Sequence, residues 1–398
     1  MNYKKEYFLL WIGQGISRLG SWIYLVALNL TVWHMTESPA MVAGLYMIGP
    51  IARIIASFFV GSIVDRSNKR LMLVLSDLSR AFLVFMLPFA PSIWLIFGIV
   101  FLSNIATSFS QPSSTFMITK LVAKQDRLRF NAVNSIVSSG SFMIGPALSG
   151  IIIALTNTTI TIWINSCALV ISAFFMYLLP NISQRVADGR KIISPSVLRQ
   201  DFQAVWRVMS EHRSVVQFFV LYSCVLMITH ALDSQEMSFL KDFHEVSDAA
   251  YGVIVGVTGI GAIVGGIAAA SFVTRLSIST YIGAGLSLTL VCYTTFYASP
   301  NLALAIIAFI LLGFFMSFSN AGYATIYQKS VPTEIMGRFT SVLTLFESVL
   351  QITLTLVIGL SAQWFSIQLA TSIFSLFALA LASALYRFVV VNKKTMEA

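Results

Sequence analysis

Ionisable side chains interrupt several long apolar stretches of this sequence, and they are the groups best suited to chemistry. A charged group is costly inside a hydrocarbon phase, so each one is a candidate for function. Asp77 and Arg80 are three residues apart and would pair on one face of a helix. Glu347 has no opposite charge within a helical turn. A low dielectric favours an uncharged carboxyl, as reversible protonation requires. Pairing with Arg66 or Arg338 is the open alternative.

A second acidic pair, Asp233 and Glu236, lies near the end of another apolar stretch. These carboxylates would either receive protons from outside or be solvated residues at a helix end, and both interpretations stay open. The candidate residues for coupling transport to an ion are therefore Glu347, Asp77, Arg80, Asp233 and Glu236.

Patterns typical of enzymes or metal sites are missing from the sequence. There is no Walker-type phosphate loop and no nucleophile constellation. Cys167, Cys224 and Cys292 all fall in apolar runs, without a CxxC or Cys/His spacing. We therefore expect no enzyme activity, no cofactor and no metal.

The elements that must hold these side chains are membrane-spanning helices. The 398 residues are 57% hydrophobic and only 10% charged, whereas a soluble protein carries about 25% charged residues. A water-soluble fold is therefore excluded. Apolar runs of about 20 residues, long enough to cross a bilayer, predict an all-α membrane protein of twelve transmembrane helices. They lie near residues 7–33, 39–63, 70–88, 92–117, 130–155, 159–180, 214–237, 249–272, 278–298, 301–327, 338–362 and 366–391.

The positive charge of the chain is distributed as in membrane proteins. Of the 25 Lys and Arg residues, Arg18, Arg53 and Arg80 fall inside apolar runs and Lys241 in a loop that we assign to the outside. The others lie at the termini or in alternate loops, which predicts that both termini are cytoplasmic. This distribution accounts for the net charge of +9 without a nucleic-acid partner.

A basic stretch divides the chain almost at its middle. We interpret residues 181–213 as a cytoplasmic linker between a six-helix bundle at 1–180 and another at 214–398. Apolar residues recur at helical spacing within 197–208, so part of the linker would form an amphipathic helix at the membrane surface. Two six-helix halves indicate an internal repeat with substrate bound between them.

The loop after the second helix carries the most specific motif. Residues 61–70 read GSIVDRSNKR, which resembles the G-x-x-x-D-R-x-G-R-R motif of the major facilitator superfamily. We call these residues the latch motif, because the resemblance implies a conformational latch rather than a substrate site. Asn68 replaces a glycine, and Asn is the next residue to tolerate a left-handed turn. The latch candidates are Gly61, Asp65, Arg66, Lys69 and Arg70.

Helix 5 carries a second motif, GPALSG at 145–150. It resembles the G-P-x-x-G-G element of antiporters, with Ser149 in place of one glycine. Glycines on one face beside a proline kink would form a close-packed helix pair that stops ions from leaking; packing alone is the other interpretation. The candidates are Gly140, Gly145, Pro146 and Gly150.

Across both halves the chain resembles the macrolide-efflux branch of drug:proton antiporters. The stretches Trp11–Ser17, Asp77–Ala81 and Pro332–Arg338 add to this resemblance. It implies the major facilitator fold, in which helices 1, 4, 7 and 10 line a cavity. Arg18 would there favour an anionic group or neutralise a coupling carboxylate. The candidate cavity residues are Gln14, Arg18, Asn104, Gln111, His230, Asn320, Tyr323 and Tyr327.

The resemblance implies a monomeric exporter of small hydrophobic or amphipathic molecules in a bacterial cytoplasmic membrane. Its expected partners are the substrate, protons and the lipid bilayer. A lipid or lysolipid flippase, with Arg18 holding a phosphate, is the first alternative. A dedicated exporter of a metabolite, peptide or siderophore is another. Uptake by proton symport is disfavoured by the antiporter-like helix 5.

Overall fold

The computed structural model describes residues 4–60, 63, 64, 67–123, 126–182, 213–272, 275–331 and 336–392. These residues form twelve long α-helices and no strand, which confirms the predicted all-α architecture. The helices are α1 (Lys4–Thr36), α2 (Pro39–Ser57), α3 (Lys69–Met86), α4 (Ile93–Leu121), α5 (Arg127–Leu155), α6 (Thr158–Tyr177), α7 (Arg213–Asp242), α8 (Asp248–Phe272), α9 (Ile278–Ala298), α10 (Leu302–Ser330), α11 (Met336–Trp364) and α12 (Ile367–Val391).

Ten of these helices are long and apolar enough to cross a membrane. The other two, α1 and α9, are long enough but carry more polar side chains, such as Gln14 and Arg18 in α1. Polar side chains that face the interior of a membrane protein lower a helix's mean hydropathy without preventing it from spanning. The predicted second helix extends to residue 63. In the structure α2 ends at Ser57, a turn follows at 58–59, and residues 60, 63 and 64 are helical again.

Side chains in the short connections fix where several helices begin. Ser92 accepts a hydrogen bond from the Leu95 amide, and Asn157, Ser277 and Ser366 accept equivalent bonds at the starts of α6, α9 and α12. Each bond satisfies one of the four amide groups that a helix leaves unpaired at its N-terminus. The connections can therefore be short, and consecutive helices such as α3 and α4 pack side by side.

The chain forms two compact units. The first contains the described residues within 1–37, 48–194 and 247–256, and the second those within 38–47, 195–246 and 257–398. In the first unit α1 packs against α5 and α6, and α3 against α4 and α6. In the second, α7 packs against α11 and α12, and α9 against α10 and α12. The same pairing pattern therefore recurs six helices later, as an internal repeat would produce.

The predicted linker, residues 181–213, lies almost entirely outside the described residues. The bundle boundaries at 1–180 and 214–398 and the cytoplasmic location of both termini stay predictions.

Candidate functional site

Glu347 lies on α11 and faces α7 in the second unit. Its Oε1 atom accepts a hydrogen bond of 2.7 Å from the Ser223 hydroxyl, and the side chain is half-buried. None of the ion pairs among the described residues includes Glu347. The alternative partners, Arg66 and the side chain of Arg338, lie outside the described part of the chain. Glu347 is thus a partly buried carboxyl held by a neutral hydroxyl.

A wall of aromatic rings lies beside this carboxyl. Tyr222, next to Ser223 on α7, stacks on Tyr323 of α10 with ring centroids 4.4 Å apart. Tyr323 in turn stacks on Tyr327 at 6.4 Å, and Phe219 meets both edge-on. Both Tyr222 and Tyr323 lie within electrostatic range of Glu347. Phe219 and Tyr222 are buried, so they hold the partly exposed Tyr323 and Tyr327 rings, which give a rigid apolar surface for a hydrophobic molecule.

The hydroxyl of Tyr222 is held by a serine of α10. It shares a hydrogen bond of 3.1 Å with the buried Ser319 hydroxyl of α10. Because both ends of the ring are fixed, the wall links α7 to α10 while Ser223 links α7 to α11. Three helices of the second unit therefore converge on Glu347.

Arg18 lies near the middle of α1 in the first unit, within a network of neutral polar side chains. Its Nη1 donates to Asn134 of α5, at 2.9 Å to Oδ1 and 3.3 Å to the backbone oxygen. Its Nη2 donates to Gln14 Oε1 at 3.3 Å. Gln14 in turn donates to the Ser114 hydroxyl of α4 at 2.7 Å. This network, which we call the Arg18 network, brings together two of the candidate cavity residues and joins α1, α4 and α5.

Asp77 and Arg80 form an ion pair within α3, and each also binds a serine of a neighbouring helix. Their Oδ1 and Nη1 atoms are 3.4 Å apart, and 9% and 14% of the respective side chains are exposed. Ser172 of α6 donates to Asp77 Oδ2 at 2.7 Å, and Arg80 Nη2 donates to the Ser21 hydroxyl of α1 at 3.3 Å. A buried charge with a partner and additional hydrogen bonds is a stable arrangement. The geometry therefore favours a structural role for this pair.

Asp233 and Glu236 lie one helical turn apart on α7. The hydroxyl of Tyr293 on α9 donates to Asp233, and His230 Nδ1 lies 3.5 Å from its second oxygen. The Oε1 atom of Glu236 is buried and has no hydrogen-bond partner among the described residues. One oxygen of Glu236 is therefore shielded from solvent, whereas 34% of the Asp233 side chain is exposed. Both interpretations of this pair stay predictions.

Three further cavity candidates take no part in these networks. Asn104 donates to the Val100 carbonyl of its own helix at 2.9 Å. Gln111 and Asn320 are exposed, and their side chains form no hydrogen bond with described residues. Arg53 of α2, another charge inside an apolar run, is exposed as well.

Only part of the latch motif falls within the described residues. Gly61, Asp65 and Arg66 lie outside them. Lys69 is buried, with Nζ 5.3 Å from the centre of the Phe116 ring. Arg70 donates to the Tyr177 and Leu179 carbonyls at 3.3 and 3.1 Å, where a cation stabilises the end of α6.

Asn68 differs from expectation. Its backbone is extended rather than left-handed, with a φ of −70° and a ψ of 112°. Asn68 instead forms the N-cap of α3 and accepts a hydrogen bond from the Leu71 amide at 3.2 Å. Asn is a preferred N-cap residue, so the departure from glycine supplies a helix start.

The glycines of helix 5 face different neighbours. A Cβ added to Gly145 would overlap the Trp22 Cβ of α1. One at Gly150 would lie 2.7 Å from the Ala249 carbonyl oxygen, within the same compact unit. Gly140 has nothing within 4 Å. Close backbone packing is therefore seen at the second and third glycines, and Pro146 lies between them inside α5.

The hydrogen-bond partners of Arg18 and Glu347, Asn134 and Ser223, were not predicted from the sequence. Asn134 and Ser223 are small polar residues in apolar helices, where neither type stands out, since such residues commonly bond their own helix. The signal that identifies them is position: each lies on the helix face that meets a charged residue of another helix. No group of three or more His, Cys, Asp or Glu side chains within the described ranges could hold a metal.

Comparison with known proteins identifies relatives along nearly the whole chain. The family model described as Major Facilitator Superfamily matches residues 10–355. An uncharacterized MFS-type transporter of Bacillus subtilis, YfiS, is 22% identical over 90% of this chain and 87% of its own length. Macrolide efflux protein A of Streptococcus pyogenes is 17% identical over 85% of each chain.

A solved structure supports the fold. A mutant of the nucleoside transporter NupG superimposes with a TM-score of 0.78 over 96% of this chain and 99% of its own, at 14% identity. At that identity the likeness concerns the fold alone.

Proposed function

Because the chain belongs to the major facilitator superfamily, it is a multi-pass membrane transporter rather than an enzyme, and we propose that it exports small hydrophobic or amphipathic molecules by proton antiport. Alternating access in a bacterial cytoplasmic membrane is the expected mode. The relation to macrolide efflux protein A supports export over uptake.

One observation carries the proposal: a half-buried carboxyl without a cation partner among the described residues, beside an aromatic wall. A carboxyl group can take up and release one proton, which proton coupling requires. Ser223 donates to Glu347 and fixes the position of this carboxyl. The nearby ring of Tyr323, which is partly exposed and is held in place by the buried ring of Tyr222, supplies apolar contact for a substrate. Protonation and substrate binding would therefore compete or alternate at one place in the second unit.

In this mechanism the proton moves between Glu347 and water on one side of the membrane at a time. A protonated Glu347 is neutral and makes its surroundings more apolar. A charged Glu347 must be solvated by water or by hydrogen-bond donors such as the Ser223 hydroxyl. The change between the protonated and the charged state of Glu347 links proton entry to substrate exit, which is the requirement for antiport.

The direct test is accumulation of a labelled macrolide in cells that express the protein, with and without a protonophore. We expect less macrolide in these cells than in cells with an empty vector. The protonophore should raise the accumulation to the empty-vector level. Glu347→Gln, which keeps the size but removes the titrating proton, should lose export by about 10-fold or more, while Asn320→Ala, at an exposed position on α10, should retain it. Accumulation equal to that of the empty vector for wild type would contradict the proposal for macrolides.

A further inference from the structure

We infer that the Arg18 network is a subsite for an anionic group, a carboxylate or phosphate, on the transported amphipathic molecule. The inference rests on the proposed export function, and it adds the chemical class of one part of the substrate.

The first step is the missing counter-charge. Arg18 is half-buried near the middle of α1, and none of the ion pairs among the described residues includes it. Its observed partners, Asn134 and Gln14, are neutral. A guanidinium stays charged in proteins, and at membrane depth it is normally paired. The alternative role, neutralisation of a coupling carboxylate, is not observed, because no carboxylate among the described residues forms an ion pair with Arg18.

The second step is the donor capacity that remains. A guanidinium has five N–H donors in a planar fork, and the described residues accept three hydrogen bonds from Arg18. The remaining donors are those of Nε and one of Nη2. Adjacent donors in this plane match the two oxygens of a carboxylate or phosphate.

The third step is the rigidity of the group. Asn134 holds Nη1 from α5, and Gln14 holds Nη2 from one turn earlier on α1. Gln14 is itself fixed, because its amide nitrogen donates to Ser114 of α4 at 2.7 Å. A pre-positioned guanidinium loses little conformational entropy when it binds an anion. Arg80 differs from Arg18, because the charge of Arg80 is already matched by Asp77.

The inference is tested by binding to the purified full chain in nanodiscs of phosphatidylcholine, measured by fluorescence anisotropy. The probes are an NBD-labelled dodecanoate, its methyl ester as the neutral match, and NBD-labelled lysophosphatidylglycerol. Wild type should bind at least one anionic probe about 10-fold or more tightly than the ester, as a charged hydrogen bond would give. Arg18→Gln should abolish this preference and Arg18→Lys should keep part of it. Arg53→Gln, which removes an exposed charge from α2, is the matched control and should change nothing.

The three probes, together with competition by inorganic phosphate, also identify the source of the anion. Competition by inorganic phosphate, or preference for the dodecanoate alone, indicates a free anionic solute, whereas preference for the lysolipid alone indicates a lipid headgroup; either supports the subsite. Equal affinities of wild type for all three probes would overturn the inference, even if Arg18→Gln fails to fold. So would a preference that survives in Arg18→Gln.

The subsite and the proposed export function can fail separately. Glu347→Gln should lose proton-driven export but keep the preference for anionic probes, since Glu347 belongs to the other unit. Proton-driven export without any anion preference would remove the subsite alone.

Discussion

Two buried charges on α3 show how single residues carry a large energetic cost. Asp77 and Arg80 are each compensated by the other and by a serine, Ser172 and Ser21 respectively. Removing one partner leaves the other charge buried and unpaired, which typically costs about 3 kcal/mol or more. Asp77→Asn should therefore lower the thermal unfolding midpoint of the purified protein in detergent.

The matched control for Asp77→Asn is Asp242→Asn, which removes an exposed charge at the end of α7 and should leave the midpoint unchanged. The double variant Asp77→Asn, Arg80→Gln should recover much of the loss, because no unpaired charge remains. If Asp77→Asn unfolds at the wild-type temperature but loses proton-coupled export, the pair has a coupling role instead of a structural one.

At the scale of helices, a glycine is required where the backbone of a neighbouring helix leaves no room for a Cβ atom. A Cβ at Gly150 would lie 2.7 Å from Ala249 oxygen and 2.9 Å from the Gly252 Cα, whereas Gly140 has open space. Gly150→Ala should therefore force α5 and the start of α8 apart, at a cost of about 1–3 kcal/mol. Gly140→Ala should be neutral or slightly stabilising, since Ala favours the helix.

Unfolding midpoints and proton leak into proteoliposomes measure the effects of Gly150→Ala and Gly140→Ala. We expect a lower midpoint and faster leak only for Gly150→Ala, because a separated helix pair admits water. Identical behaviour of the two variants would show that this close approach has no sealing function.

At the scale of the whole molecule, hydropathy was sufficient to predict the helices. Twelve apolar runs predicted twelve helices, and most described bounds agree within a few residues, because the bilayer sets one length for every span. The turn at 58–59 was not predicted, since Phe58 and Phe59 continue the apolar run and helical residues follow at 60, 63 and 64. The N-cap at Asn68 was missed because family resemblance suggested a glycine-like role.

The candidate site was only partly predictable for a physical reason. A charge in an apolar run is visible in sequence, so Glu347, Arg18 and the Asp77 and Arg80 pair could be identified. Their partners are determined by which helices pack together, and the residues concerned, such as Ser223 and Asn134, are distant in sequence. Exposed Gln111 and Asn320 show the converse, that a polar residue on a helix need not join a network.

Proton antiport through Glu347 is tested most directly in proteoliposomes that contain only the purified chain and a pH-sensitive dye inside. A labelled macrolide is supplied outside, and an imposed gradient with the acidic side inside provides the driving force. We predict accumulation of the macrolide together with alkalinisation of the lumen, both absent with Glu347→Gln and both abolished by a protonophore. Accumulation that is equally fast without the pH gradient, or in Glu347→Gln, would contradict the account.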